Sequence, residues 1–133
     1  DDQPVPNAKL MKITLNLART KAFPEGSIRH GYDFVAPLDG EGKIDRAFWQ
    51  SHRNACVVHR FWGDEPVRRG QLVHRPGGNA GATWGFDYDV STHADDEAGF
   101  RFGDHLFRPG EYVSIRDPDG ELETFRIVGV GPA

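Results

Sequence analysis

The stretch Met11-Lys12-Ile13-Thr14-Leu15-Asn16-Leu17-Ala18 decides the fold class. Ile13, Leu15 and Leu17 alternate with Thr14, Asn16 and Ala18, so one face is apolar and the other polar. That period of two belongs to a strand with one side against a core. Beyond it, Phe23-Pro24-Glu25-Gly26 interrupts the pattern, and alternation resumes through Ile28, His30, Tyr32 and Phe34 until Pro37 and the loop Asp39-Gly40-Glu41-Gly42. Six further β-favouring runs follow: Cys56 to Trp62, Gln71 to Arg75, Ala82 to Asp89, Gly99 to Phe107, Glu111 to Asp117 and Glu121 to Val130. Between the last two, Arg116-Asp117-Pro118-Asp119-Gly120 offers proline and then glycine in the order of a type I turn with a bulge, which predicts a hairpin. Eight short strands predict an all-β, mainly antiparallel domain, a small closed or partly open β barrel with one short helix; a β-sandwich is the alternative closure.

The helix is expected to start at Asp45, whose carboxylate can cap the free amides of the first turn, with Ile44 and Trp49 at the positions of a hydrophobic staple. It should run to about Ala55. Phe48, Trp49, His52 and Cys56 would then share one side, laid against the sheet or plugging a barrel end.

A chain of 133 residues supports one core. Because the first alternating segment begins at the sole methionine, Met11, residues 1–10 read as a flexible arm or an expression remnant and residues 11–133 as a single β domain. Cys56 is the only cysteine, which excludes an intramolecular disulfide and makes a reducing cytoplasm the expected location. No run approaches the roughly eighteen apolar residues of a membrane span, and the polar start carries acids rather than a basic leader. The formal net charge of -4 disfavours a uniform electrostatic grip on nucleic acid. Charge is nonetheless segregated. Residues 52–75 carry Arg53, Arg60, Arg68, Arg69 and Arg75 against Asp64 and Glu65, whereas residues 87–104 carry six acids and only Arg101.

Several patterns bear on chemistry. His52, His59, His74, His93 and His105, with Asp95 and Asp96 as oxygen partners, are the candidate metal ligands. Their spacing lacks the tight histidine pair of a local zinc site, and His93-Ala94-Asp95-Asp96 reads first as a solvated acidic loop. Cys56 opens an apolar run and alternates away from His59, so burial is expected rather than a Cys/His nucleophile. The glycine-rich stretch Pro76 to Thr83 lacks the lysine and following helix of a phosphate-binding loop and reads as a hairpin connection. Trp84, Phe86 and Tyr88 share one strand face, and Phe100 and Phe102 alternate likewise on the next. These aromatics are either the core or, if exposed, a stacking platform; a small barrel must fill its interior, which favours the core. Arg60, Trp62, Arg68, Arg69 and Arg75 form the best surface for a negatively charged partner, placed by this reading on a loop.

Met11 to Leu17 at one end and Pro109-Gly110-Glu111-Tyr112-Val113-Ser114-Ile115 at the other resemble a family of small bacterial proteins to which no function is attached. The final hairpin, with its Pro-Gly-acid turn before a Val-x-Ile strand, also resembles the closing strands of PUA-like and ASCH-like barrels. That likeness covers about a sixth of the chain and would imply association with RNA. The residues themselves point first to a non-enzymatic binding domain for a partner protein or small ligand, monomeric or homodimeric, with no cofactor. The alternatives are a metal-dependent enzyme built on the histidines and acidic loop residues, and weak RNA binding through Arg60, Arg68, Arg69 and Arg75.

Overall fold

The structure, a computed structural model, describes residues 8–74, 84–88, 97–100, 106–116 and 121–133, the stretch 97–100 by its backbone alone. Eight strands, β1 (Lys9–Leu17), β2 (Ser27–Leu38), β3 (Val57–Trp62), β4 (Arg68–His74), β5 (Trp84–Asp87), β6 (Glu97–Phe100), β7 (Tyr112–Arg116) and β8 (Leu122–Pro132), pair antiparallel in sequence order. β8 returns to β1, with Met11 opposite Pro132 and Leu17 opposite Phe125, and closes the sheet. The β-sandwich alternative is thereby excluded. No helix among the described residues is long and apolar enough to cross a membrane.

Closure explains the sequence pattern, because every strand has one side inside the barrel and the other outside. Ile13, Leu15 and Leu17 point in from β1, Tyr32, Phe34 and Ala36 from β2, and Phe125 and Ile127 from β8, all essentially buried. The interior is packed around rings: Phe86 lies 5.2 Å from both Tyr32 and Phe34 by ring centroid, and Tyr32 lies 5.1 Å from Phe125 in an edge-on contact. Trp84 and Phe86 are therefore core residues, as a filled barrel requires, while Tyr88 is only partly buried. Phe102 and the side chain of Phe100 lie outside the described residues.

Two irregularities bend the sheet into its curve. Between Thr14 and Leu15 the register with β8 slips so that Val128 bulges outward, and between Asn16 and Leu17 the register with β2 slips from Gly31 to Ser27. Gly31 is dictated by that second slip: a Cβ there would sit 1.9 Å from the Leu15 carbonyl oxygen.

The polar arm ends earlier than the alternation suggested. Ala8 is buried, Lys9 pairs with Leu38 and Leu10 with Pro37, so residues 8–10 belong to the barrel. The helix also departs from expectation. Asp45 does cap it, its Oδ1 accepting the Phe48 N–H at 3.0 Å, but α1 spans only Arg46–Ser51 and a single 3-10 turn, Arg53–Ala55, follows. His52 leaves helical geometry and donates its N–H to the Trp49 carbonyl, ending the i to i+4 ladder. Consequently Trp49 is the residue of α1 that reaches the core, and Cys56 is buried beyond the 3-10 turn. The Trp49 indole N–H donates to the Leu72 carbonyl at 3.0 Å, and its ring meets Trp84 edge-on at 5.2 Å, while Phe48 and His52 stack on each other further out.

Candidate functional site

An antiparallel meander sends alternate connections to opposite ends of the barrel. The β1–β2 and β3–β4 turns lie at one mouth, and the β2–β3 connection with α1 lies at the other. Of the basic and aromatic residues singled out in the sequence, Arg60, Trp62 and Arg68 gather at the first mouth, for a reason of register. β4 begins at Arg68, earlier than the run of β-formers indicated, so Arg68 and Arg69 are strand rather than loop residues. The β3–β4 hairpin then sets Arg60 directly opposite Arg68 and His59 opposite Arg69.

Strand alternation divides the arginines between the two faces. Arg60 is opposite the inward-facing Tyr32 on β2, and both Arg60 and Arg68 belong to the inward-facing series at the rim. Each guanidinium lies over an aromatic ring: Arg60 is 4.3 Å from the centroid of Trp62, and Arg68 is 4.5 Å from that of Tyr88. Room for the Tyr88 ring comes from Gly70, where a Cβ would lie 2.7 Å from Tyr88 Cδ1 and 2.5 Å from the Asp87 carbonyl oxygen. Arg60 is the recessed member, its side chain 17% exposed, and Glu65 approaches its Nη1 at 3.9 Å from a more open position. Arg69 faces outward, on the other side of the sheet, and Arg75 lies outside the described residues.

Beside this pair stands His30, between Phe23 at 4.6 Å and Trp62 at 4.8 Å. Its Nδ1 is hydrogen-bonded to the Ser27 hydroxyl at 2.7 Å, which leaves Nε2 turned toward the Gly63 turn. Arg29, close by in sequence, is occupied by an ion pair with Asp64. Thus the mouth is an aromatic rim of Phe23, His30, Trp62 and Tyr88 carrying two adjacent guanidiniums. A guanidinium with a planar face against a ring and its N–H edges directed elsewhere is a fork for carboxylate or phosphate oxygens.

The described histidines do not converge. His59 is on the outer face, its Nδ1 hydrogen-bonded to Asp33 Oδ1 at 3.0 Å across the β2–β3 pair. His52 is exposed at the end of α1, its Nδ1 2.9 Å from the Phe48 carbonyl, and His74 is at the far mouth, 4.7 Å from Trp84. His93, Asp95, Asp96 and His105 lie outside the described residues. Among the described residues no three His, Cys, Asp or Glu side chains stand close enough to hold a metal ion. Cys56 is buried, and burial pushes its thiol up to about 11, which keeps it protonated and unreactive at neutral pH.

Sequence reasoning assigned Tyr88 to the core stripe and passed over Phe23, His30 and Gly70. The available signal was the hairpin itself. Gly63-Asp64-Glu65-Pro66-Val67 is a turn between two runs that each carry an arginine, and pairing them places Arg60 against Arg68. Compared with protein-family models, with curated proteins and with solved structures, the chain finds no match.

Proposed function

We propose that this domain is a non-enzymatic binding module that takes the carboxylate or phosphate group of a small ligand between Arg60 and Arg68, with the rings of Trp62, Tyr88 and His30 against the ligand's body. The observation that carries this reading is the register. Side chains directly opposite on an antiparallel pair stand about 5 Å apart at Cβ, and like charges so placed weaken a sheet by roughly 0.2–1 kcal/mol. Two arginines in that relation, at the rim and each braced on a ring, bring two guanidiniums to one place where a single anion can contact both. The stacked guanidiniums are also partly immobilised beforehand, which lowers the entropy lost on binding.

The test is calorimetric titration with inorganic phosphate and with benzoate, on the parent protein and on Arg60→Gln and Arg68→Gln. Saturable binding of at least one probe, weakened about tenfold or more by either substitution, is expected from the loss of one charge-assisted contact. Without ligand, Arg68→Gln should melt slightly below the parent temperature, because it removes the guanidinium stacked on Tyr88, a contact worth about 0.5–1 kcal/mol at an exposed site. Absence of binding by both probes, or binding indifferent to Arg68→Gln, overturns the reading. A single-stranded RNA oligonucleotide bound with steep salt dependence would replace it with the nucleic-acid alternative.

A further inference from the structure

At the opposite mouth, between the β1 and β8 strands and the Asp39-to-Gly42 turn, lies a pocket of about 470 Å³. The volume falls in the range of small-molecule sites. Met11, Leu38, Phe107 and Val130 supply apolar lining, and Lys9 and Arg108 stand at its rim. The strand register produces this composition. Met11 pairs with the inward-facing Ala36, and the bulge at Val128 returns Val130 to the inward series opposite Ile13, so that both face the end of the barrel. Phe107 is fixed behind them by its backbone, its N–H donating to the Gly42 carbonyl at 2.8 Å.

The rim charges are not equally available. Asp39 also borders the pocket, but its Oδ1 is engaged within its own turn, accepting the N–H groups of Glu41 at 2.8 Å and Lys43 at 3.0 Å. Glu41 is exposed and also borders the pocket, with its backbone carbonyl toward Arg108. Arg108 makes a long contact from Nη2 to the Glu41 carbonyl at 3.4 Å, and among the described residues neither Arg108 nor Lys9 forms an ion pair with a carboxylate. An apolar recess with two available cations above it is complementary to a molecule with an apolar body and a single anionic end.

We infer that this pocket is a second binding site, distinct from the Arg60–Arg68 mouth, for an amphipathic monocarboxylate of the medium-chain fatty-acid kind. The hydrocarbon lies against Met11, Leu38, Phe107 and Val130, and the carboxylate lies between Lys9 and Arg108. Tail burial supplies the affinity, in proportion to the apolar surface removed from water, and the two cations select the acid over a neutral analogue.

Met11 is the only methionine in the chain, which makes the test specific to the pocket. In protein carrying methyl-labelled methionine, its one methyl resonance is followed during titration with decanoate and, separately, with decanol. Decanoate is expected to move the resonance saturably. Decanol should bind about tenfold more weakly, and Arg108→Ala should weaken decanoate by a similar factor. Arg108 is exposed, so this variant keeps the fold, and an unchanged melting temperature without ligand verifies that. Arg60→Gln should leave the decanoate titration unaltered. A stationary Met11 methyl, equal affinity for decanol, or loss of the decanoate response in Arg60→Gln would each overturn the inference, the last by placing the ligand at the other mouth.

Discussion

His74 occupies a position where one proton matters. Its ring lies 4.7 Å from Trp84 and 6.1 Å from Trp49 by centroid, at the mouth that α1 covers. Burial, and secondarily the nearby positive charge of Arg46, holds its pKa below the ordinary imidazole value. The folded state therefore binds the proton less readily than the unfolded chain. The associated stability is complete above the unfolded value of about 6.5 and declines as pH falls from there toward the lower folded value. Melting temperature measured across that acidic interval should fall less steeply in His74→Gln than in the parent protein. Parallel slopes would mean that this histidine does not report on the fold.

At the scale of elements, the β1–β2 ladder depends on one residue lacking a side chain. Because the Leu15 carbonyl oxygen occupies the space a Cβ would need, Gly31→Ala must push the two strands apart where the register slips. Overpacking of this kind costs about 1–3 kcal/mol or more, and the midpoint of urea unfolding should drop accordingly. A midpoint equal to that of the parent would show that the strands can separate locally without loss.

The same elements show what is legible in a sequence. Ile13, Leu15 and Leu17 announce a strand because alternation is local, and Asp45 announces a helix start because its carboxylate caps amides two and three residues on. The end of α1 was not legible. Helical spacing of Phe48, Trp49, His52 and Cys56 suggested a continuation that His52 breaks, and Trp49 is left as the one buried residue of α1, with Cys56 entering the core past the i to i+3 turn. Nor was the candidate site legible as a site. Arg60, Trp62 and Arg68 could each be named, but their assembly with Tyr88 follows from two cross-strand registers, β3 with β4 and β4 with β5, and register is a property of pairs of strands. Arg69 illustrates the same point: adjacent to Arg68 in sequence, it is on the other face because one residue along a strand reverses direction.

For the molecule as a whole, stability rests on the packed rings at the middle of the barrel. Phe86 is fully buried and touches rings from β2, so Phe86→Ala removes contacts to two neighbours that cannot both collapse into the space. A loss of about 3–5 kcal/mol is expected by chemical denaturation. An unchanged midpoint would refute the assignment of this aromatic stripe to the core. Closure also alters how a second copy could associate. Strand addition needs an open edge, and among the described residues each of the eight strands is paired on both sides, which leaves exposed side chains such as Ile28, Tyr112 and Val128 as the apolar surface there.

The seam between β1 and β8 has a mechanical consequence. Its two strands run antiparallel, with Leu10 accepting the Ala133 N–H at 3.2 Å and Met11 facing Pro132, so residues at the two extremities of the described chain are neighbours at the same mouth. Tension applied through those residues would load the ladder from that mouth, one hydrogen bond after another, in the manner of a zipper. The resistance of such a seam to stretching is low whatever the thermodynamic stability of the barrel it closes, because force meets its bonds in series rather than all at once.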